Sequence, residues 1–407
     1  MKVLLSLVFV ALLAGLGYWF FVSTPVDEQV PVVVPPAADA TVEGVVTSLD
    51  FNQIAFDGPY VINVQDENNR DYVIEIPSMG LSLCAAVLNI AEPGAIAVGD
   101  SVTVVGARGD AGQVVPCEKA SHILQVFSSY EDRLLGFEFP YKKGPNGYIV
   151  VPQVRSAESE LVFGVTVFNR EEYELLQSST EAREAPPAMS ISVYDNEENL
   201  SAPVWVQENP GLSNRELAIG SSTESVVGGA NAERYTVDGL YLTDTYVVAN
   251  GDYIYVLTGS YFDPESLIYQ DFQTLVGEFE FVPTIGVAAD IVEHILAKRD
   301  FIIVDSPQAL ATVTPPLVVS GQARGPWFFE ATFPIVITDW DGLIIGEGFA
   351  TAQGDWMTEE FVPFTGEISY STPTTTISSR GTVIVQKSNA SGLPENDDAL
   401  EIPIFFE

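Results

Sequence analysis

Histidine and cysteine are almost absent from this chain, and lysine is scarce. Its 407 residues include two histidines, two cysteines and six lysines. Zinc centres and Ser-His-Asp or Cys-His triads need these residues, so the chain has little material for either. Walker, HExxH, GxSxG and CxxC motifs are missing as well. Together these absences predict a protein that is not an enzyme.

Basic residues are also few in this chain. The chain carries 17 Lys and Arg against 56 Asp and Glu, a formal net charge of -39. Proteins that bind nucleic acid neutralise phosphates with cations, so this balance excludes nucleic acid as an expected partner. Hydrophobic residues make up 47% of the chain, which is enough for packed cores. The length predicts about two to four domains.

The two cysteines, Cys84 and Cys117, lie in one short region. In an oxidising compartment such a pair favours a disulfide, which would contribute about 3 to 4 kcal/mol by closing a loop of that length. Two unpaired thiols in a core are the alternative. The spacing fits no zinc motif.

The first residues indicate a location. Lys2 precedes a run of uncharged residues, 3–22, that is long enough to cross a bilayer core as a helix. We expect residues 1–25 to anchor the chain in the cytoplasmic membrane, with the remainder extracytoplasmic. A cleavable signal peptide, with Gly15 and Gly17 near its cleavage site, is the alternative and would yield a secreted protein. Residues 26–40 are Pro-rich and predict an extended linker.

Residues 41–128 contain short alternating segments separated by turn residues. TVEGVVTSLDF, PYVINVQ, RDYVIEIP, DSVTVVGARG and HILQVF are the predicted strands, and DENNRD is a predicted hairpin turn. The pattern resembles a small barrel of the oligonucleotide/oligosaccharide-binding (OB) type. Its acidic composition argues against nucleic acid as the ligand.

Residues 129–285 mix strands with two segments of helical spacing, REEYELLQS and PESLIYQDFQTLVGEFEF. This mixture predicts an α+β domain. YEDRLLGFEFPY at its start and the final helix running into GEFEF resemble the PsbP family of photosystem lumenal proteins. That resemblance implies an antiparallel sheet packed between helices and no particular chemistry. A helical connector, 286–300, carries His294, which we interpret as a core or surface residue.

Residues 301–407 read as about seven short strands, which is typical of an immunoglobulin-like β-sandwich. The successive segments PPLVVSGQARG, WFFEATFPIVITDWDG, WMTEEFVPFTGEISY and RGTVIVQK resemble the immunoglobulin-like domain of bacterial spore germination. The resemblance covers the whole module and implies a bacterial envelope or secreted protein. It implies no catalytic residues.

Within this module, DWDG has three possible interpretations. As a hairpin turn, Asp341 and Gly342 supply the turn geometry and Trp340 lies at the tip. As a Ca²⁺ site, Asp339 and Asp341 would need further oxygen ligands. The expected source is the acidic loop, which supplies Glu395, Asp397 and Asp398. As a glycosidase pair, the two aspartates would have to flank a substrate cleft, which nothing in the sequence indicates. The turn is the favoured interpretation.

The chain is therefore predicted to be a mainly β multidomain protein: a transmembrane helix, an OB-like barrel, an α+β PsbP-like domain and an immunoglobulin-like sandwich. We expect a membrane-anchored envelope protein that displays non-catalytic binding or scaffolding modules. Its partner would be another envelope protein or a glycan, and no cofactor is expected except possible Ca²⁺. The alternative function is an extracytoplasmic receptor for a small ligand or a cation.

Overall fold

The structure, a computed structural model, describes residues 39–50, 59–77, 84–91, 93–144, 147–153, 159–178, 183–372 and 378–407. The predicted anchor and almost all of the predicted linker lie outside these residues. No helix within the described ranges is long and apolar enough to cross a membrane.

The first unit is a closed barrel built by alternating strands. The strands are β1 (Ala40–Asp50), β2 (Tyr60–Gln65), β3 (Asp71–Ile76), β4 (Ser101–Arg108), β5 (Val114–Val115), β6 (Ile123–Asp132) and β7 (Phe137–Lys143). The ring runs β1-β2-β3-β5-β4 and closes because β1 also pairs with β4. Every second side chain, such as Val42, Ile62 and Val104, points into a common core. The five-strand barrel predicted from the sequence is confirmed.

The barrel sheet does not stop at the predicted boundary between residues 128 and 129. That boundary lies inside β6, whose second half pairs with β7. The side chains of Phe137 and Phe139 on β7 belong to the core of the next unit, although their backbone pairs with β6. The first two units are therefore joined through a shared sheet.

The second unit is an antiparallel sheet with helices on both faces. Its elements are β8 (Tyr148–Pro152), β9 (Leu161–Asn169), α1 (Arg170–Ser178), β10 (Ala188–Asp195), α2 (Ala202–Glu208), β11 (Ala218–Val227), β12 (Ala230–Asp238), β13 (Leu242–Asn250), β14 (Tyr253–Tyr261), α3 (Leu267–Glu278) and β15 (Glu280–Phe281). The strand order is β11-β12-β13-β14-β10-β9-β8. Both predicted helices, α1 and α3, are present. Helix α2 had no predicted counterpart.

The two faces of this sheet carry separate cores. Helix α3 covers one face through Phe272 and Leu275, and α2 covers the other through Trp205 and Val206. Strand β14 contributes to both, because its successive side chains alternate between the faces. Strand β15 returns to pair with β7, which extends the barrel sheet once more.

A connector helix, α4 (Ala289–Lys298), leads to the third unit, as predicted. The strands that follow are β16 (Ile302–Ser306), β17 (Thr312–Val313), β18 (Leu317–Arg324), β19 (Thr332–Asp339), β20 (Ile344–Ala352), β21 (Phe361–Ile368), β22 (Arg380–Gln386) and β23 (Ala399–Phe406). They follow the order β16-β18-β21-β20-β19-β22-β23-β17, and only two residue pairs join β20 to β21. Inward side chains from both sides of that junction form one core around Trp327, Phe333 and Phe364. This is the predicted sandwich.

Candidate interaction surfaces

The DWDG segment is a hairpin turn. Asp339 ends β19, and its Oδ1 accepts N–H bonds from Asp341 (3.0 Å) and Leu343 (2.9 Å). Gly342 donates its N–H to the Asp339 carbonyl oxygen at 3.1 Å and has φ +80°, which favours glycine. Trp340 is half exposed at the tip. Each residue of DWDG thus has a structural role, and the turn prediction is confirmed.

The acidic loop before β23 has its own partners. Asp397 accepts a 2.6 Å hydrogen bond from the Asn389 amide, and Asp398 forms an ion pair with Lys298 at the end of α4. Glu395 lies in an exposed 3₁₀ turn. These contacts tie the loop to itself and to the connector helix.

The structure does not bring the two predicted halves of the cation site together. Asp339 lies opposite Gly381 at the start of β22, whereas Ala399, next to the acidic loop, lies opposite Gln386 at its end. Five residues of extended strand separate these positions, about 17 Å. Nowhere in the described ranges do three His, Cys, Asp or Glu side chains form a group that could hold a metal ion. The five carboxylates therefore do not form one site.

The two cysteines are linked. Cys84 follows β3 and Cys117 follows β5, and the disulfide joins them with a Cα–Cα distance of 4.7 Å. Both residues are buried against the barrel core. The predicted disulfide is confirmed.

Both histidines make structural contacts. His294 on α4 accepts the N–H of Glu401 on β23 at 3.3 Å, which joins the connector to the sandwich. His122 is fully buried, and its Nε2 lies 3.3 Å from a carboxylate oxygen of Asp39. Lys119 donates to the same oxygen at 2.7 Å, and this hydrogen bond lowers the pKa of Asp39.

Arg299 joins the connector to the first two units. It follows α4 and forms a two-pronged ion pair with Asp132 at the end of β6, with one distance of 3.2 Å between Nη2 and Oδ1. Its guanidinium also lies 4.4 Å from the ring centre of Phe163 on β9. Asp132 is almost fully buried and accepts the N–H groups of Leu134 (3.1 Å) and Leu135 (3.0 Å).

The contact with Asp132 favours the charged form of Arg299. Burial lowers the pKa of the Arg299 guanidinium, but the contact with Asp132 outweighs burial, so its pKa lies above the usual value. Removing water from a charged pair is costly, and the additional backbone hydrogen bonds and the Phe163 ring offset part of that cost. The junction therefore fixes how the barrel, the sheet and the connector meet.

Beside this junction lies a groove of about 660 Å³, which we call the junction groove. It runs between the ends of β9, β10 and β14 on one side and the segment 284–297, which includes most of α4, on the other. Leu161, Ile285, Val287 and Val292 are among its apolar lining residues, and we call these four the floor. It is also lined by Glu160, Asp195, Asp252 and Glu293, and we call these four carboxylates the rim. Among the residues that the structure describes, no lysine, arginine or histidine lines it.

The pKa values of Asp195 and of its neighbour Tyr253 are raised at the rim of the junction groove. Desolvation, and then repulsion by Glu197, raises the pKa of Asp195. Tyr253 lies across the strand pair from Asp195, and burial together with the charges of Asp195 and Asp252 raises the pKa of its hydroxyl. None of the four rim carboxylates forms an ion pair with another described residue.

A second depression, of about 500 Å³, continues from the junction groove and shares Glu160 and Asp195 with it. Its wall includes Tyr194, whose ring packs against Trp205 with a centroid distance of 5.3 Å. The described residues that line this depression include no basic one either. The two depressions form one acidic path along the second unit.

The barrel has a groove of its own, of about 770 Å³, over β1, β4 and the β2–β3 turn. Glu43, Asp66 and Glu67 line it together with one cation, Arg70. That cation is bound to Asp66 at 2.8 Å.

Sequence reasoning missed the junction residues and the junction groove. Asp132 and Arg299 are 167 positions apart, and nothing local marks them as partners. One signal was available: Asp132 ends a strand and stands close before the apolar pair Leu134-Leu135, and a buried charge is seldom without a partner. The rim carboxylates come from four segments, so no motif could have shown them.

Comparison with known proteins finds similarity to one family and to a solved structure. No curated protein matches the chain. The solution structure of cyanobacterial PsbP (CyanoP) from Synechocystis sp. PCC 6803 covers 38% of this chain and 92% of that one, at 15% identity and a TM-score of 0.28. Residues 301–392 match the family described as the immunoglobulin-like domain of bacterial spore germination, which agrees with the resemblance seen in the sequence.

Proposed function

We propose that the protein is anchored in the cytoplasmic membrane through residues 3–22 and displays non-catalytic binding or scaffolding modules outside it. The match of residues 301–392 to a spore-germination immunoglobulin-like domain supports a non-catalytic role for the last module. The confirmed disulfide between Cys84 and Cys117 supports an oxidising, extracytoplasmic environment.

The observation that carries the scaffolding role is the junction around Arg299. Modules that move independently need only flexible linkers between them. Here the paired strands β6 and β7 connect the first two units, and a buried ion pair holds the connector. An arrangement fixed in this way presents several surfaces at constant spacing. That property suits a protein that positions partners.

Cell fractionation tests the location. We expect the full chain to sediment with membranes, to resist an alkaline wash, and to be digested by protease added to spheroplasts. A variant that lacks residues 1–25 is the control and should remain soluble in the cytoplasm. Protection of the full chain from external protease would contradict the proposal. A mature N-terminus just after Gly17 would support secretion after cleavage instead.

The alternative function, a receptor for a small ligand or cation, is favoured by the acidic junction groove. The DWDG turn does not support this alternative, because its aspartates and the carboxylates of the acidic loop lie at opposite ends of β22. Calorimetric titration with Ca²⁺ tests this alternative. Saturable binding that is lost on neutralising the rim carboxylates would favour the receptor over the scaffold.

A further inference from the structure

We propose that the junction groove binds a basic, amphipathic segment of a partner protein, with apolar side chains on the floor and lysine or arginine at the rim. This inference rests on the proposal that the modules bind rather than catalyse. It concerns a site that no motif in the sequence marks.

The floor suits apolar side chains. Leu161 on β9, Ile285 and Val287 before the connector, and Val292 on α4 are all half-buried. They come from three segments and line the same groove. Water over this surface is unfavourable, and an apolar side chain that displaces it gains about 25 cal/mol per Å².

The rim selects the charge of the occupant. Glu160, Asp195, Asp252 and Glu293 are exposed, and the described part of the lining contains no lysine, arginine or histidine. Desolvation and the charge of Glu197 raise the pKa of Asp195, and a positive charge beside it would favour its ionised form. An acidic or phosphorylated ligand would be repelled.

The shape and the charge together favour a peptide over the other occupants. A second copy of this chain carries the same net charge of -39 and would be repelled. A small metal ion or polyamine would satisfy the rim but leave the apolar floor in water. The adjoining depression with Tyr194 extends the acidic path, which suits an extended chain better than a compact ligand.

The test uses the detergent-solubilised full chain and a fluorescent synthetic peptide of alternating lysine and leucine. The groove variant carries Glu160→Gln, Asp195→Asn, Asp252→Asn and Glu293→Gln. A control variant has the same net charge: Asp110→Asn, Asp238→Asn, Glu224→Gln and Glu367→Gln, which change exposed carboxylates outside the grooves. Circular dichroism checks that both variants fold.

We expect saturable binding that weakens at least about tenfold in the groove variant, because four ion pairs are lost, and changes less than about twofold in the control. A peptide with serine in place of leucine should also bind more weakly. Equal losses in the two variants would show unspecific attraction to an acidic protein and would overturn the proposal. So would the absence of saturable binding at low salt.

Two further outcomes would overturn the peptide proposal and assign the junction groove to another occupant. Displacement of the peptide by spermine or Ca²⁺ at equal charge concentration would assign the groove to a small cation. A concentration-dependent dimer in sedimentation, dissociated by the peptide, would assign it to a second copy. Failure of the membrane-location experiment would leave these binding results unaffected, so the two proposals can fail separately.

Discussion

Replacing Arg299 by leucine should destabilise the protein far more than the loss of an ordinary surface ion pair. Its partner Asp132 has a side chain only 1% exposed, and the guanidinium is 11% exposed. Breaking a buried pair by removing one partner leaves an uncompensated charge and costs about 3 to 5 kcal/mol. The lost contact with the Phe163 ring adds to this cost.

A neighbouring pair provides the control. Arg133 and Glu131 are bonded at 2.6 Å, but their side chains are 51% and 30% exposed. Arg133→Leu should therefore cost less than about 1 kcal/mol. Both variants are compared with the parent chain by urea denaturation in detergent, followed by tryptophan fluorescence.

A double-mutant cycle isolates the pair itself. Asp132→Asn keeps an acceptor for the N–H groups of Leu134 and Leu135 while removing the negative charge. Combined with Arg299→Leu, it should cost less than the sum of the single changes, with a coupling of about 0.5 to 3 kcal/mol. Additive costs would refute the conclusion that the pair of Arg299 and Asp132 holds the junction in a fixed arrangement. A cost for Arg299→Leu no greater than that for Arg133→Leu would refute it as well.

Three other changes test the remaining structure. Reduction of the bond between Cys84 and Cys117 should lower the free energy of unfolding by about 3 to 4 kcal/mol, as calorimetry with and without reductant would show. Gly259→Ala should cost about 1 to 3 kcal/mol in the same urea assay, because an added Cβ would lie 2.2 Å from the Phe272 ring and displace α3. Hydrogen bonds from Arg70 lower the pKa of Asp66 below 3.8, so its stabilising effect is present above that pH and is lost as the pH falls through the folded-state value. Asp66→Asn should flatten the acid limb of a pH melting series, and an unchanged limb would contradict this prediction.

Local patterns predicted much of the fold. Alternation in β1 to β4 and in β18 to β23 indicated which side chains face a core, and Asp341-Gly342 indicated a turn. Both long helices of the second unit were visible because their apolar residues recur at helical spacing. Helix α2 was not, because it has only seven residues and contains a proline.

Candidate sites were predicted less well than strands. The sequence left open whether the acids around Asp339 and Asp397 meet, and the strand register places them at opposite ends of β22. The disulfide was predictable because only one pairing exists for two cysteines.

The sequence by itself determined which segments alternate, where they turn, that the chain is acidic, and that its two cysteines can pair. These properties depend on neighbouring residues or on composition, so they do not require knowledge of the fold. Only the tertiary structure decided that Asp132 meets Arg299 and that four carboxylates from separate segments form the rim of one groove. Such contacts arise when distant segments pack together, and their energies depend on burial that no single segment possesses alone.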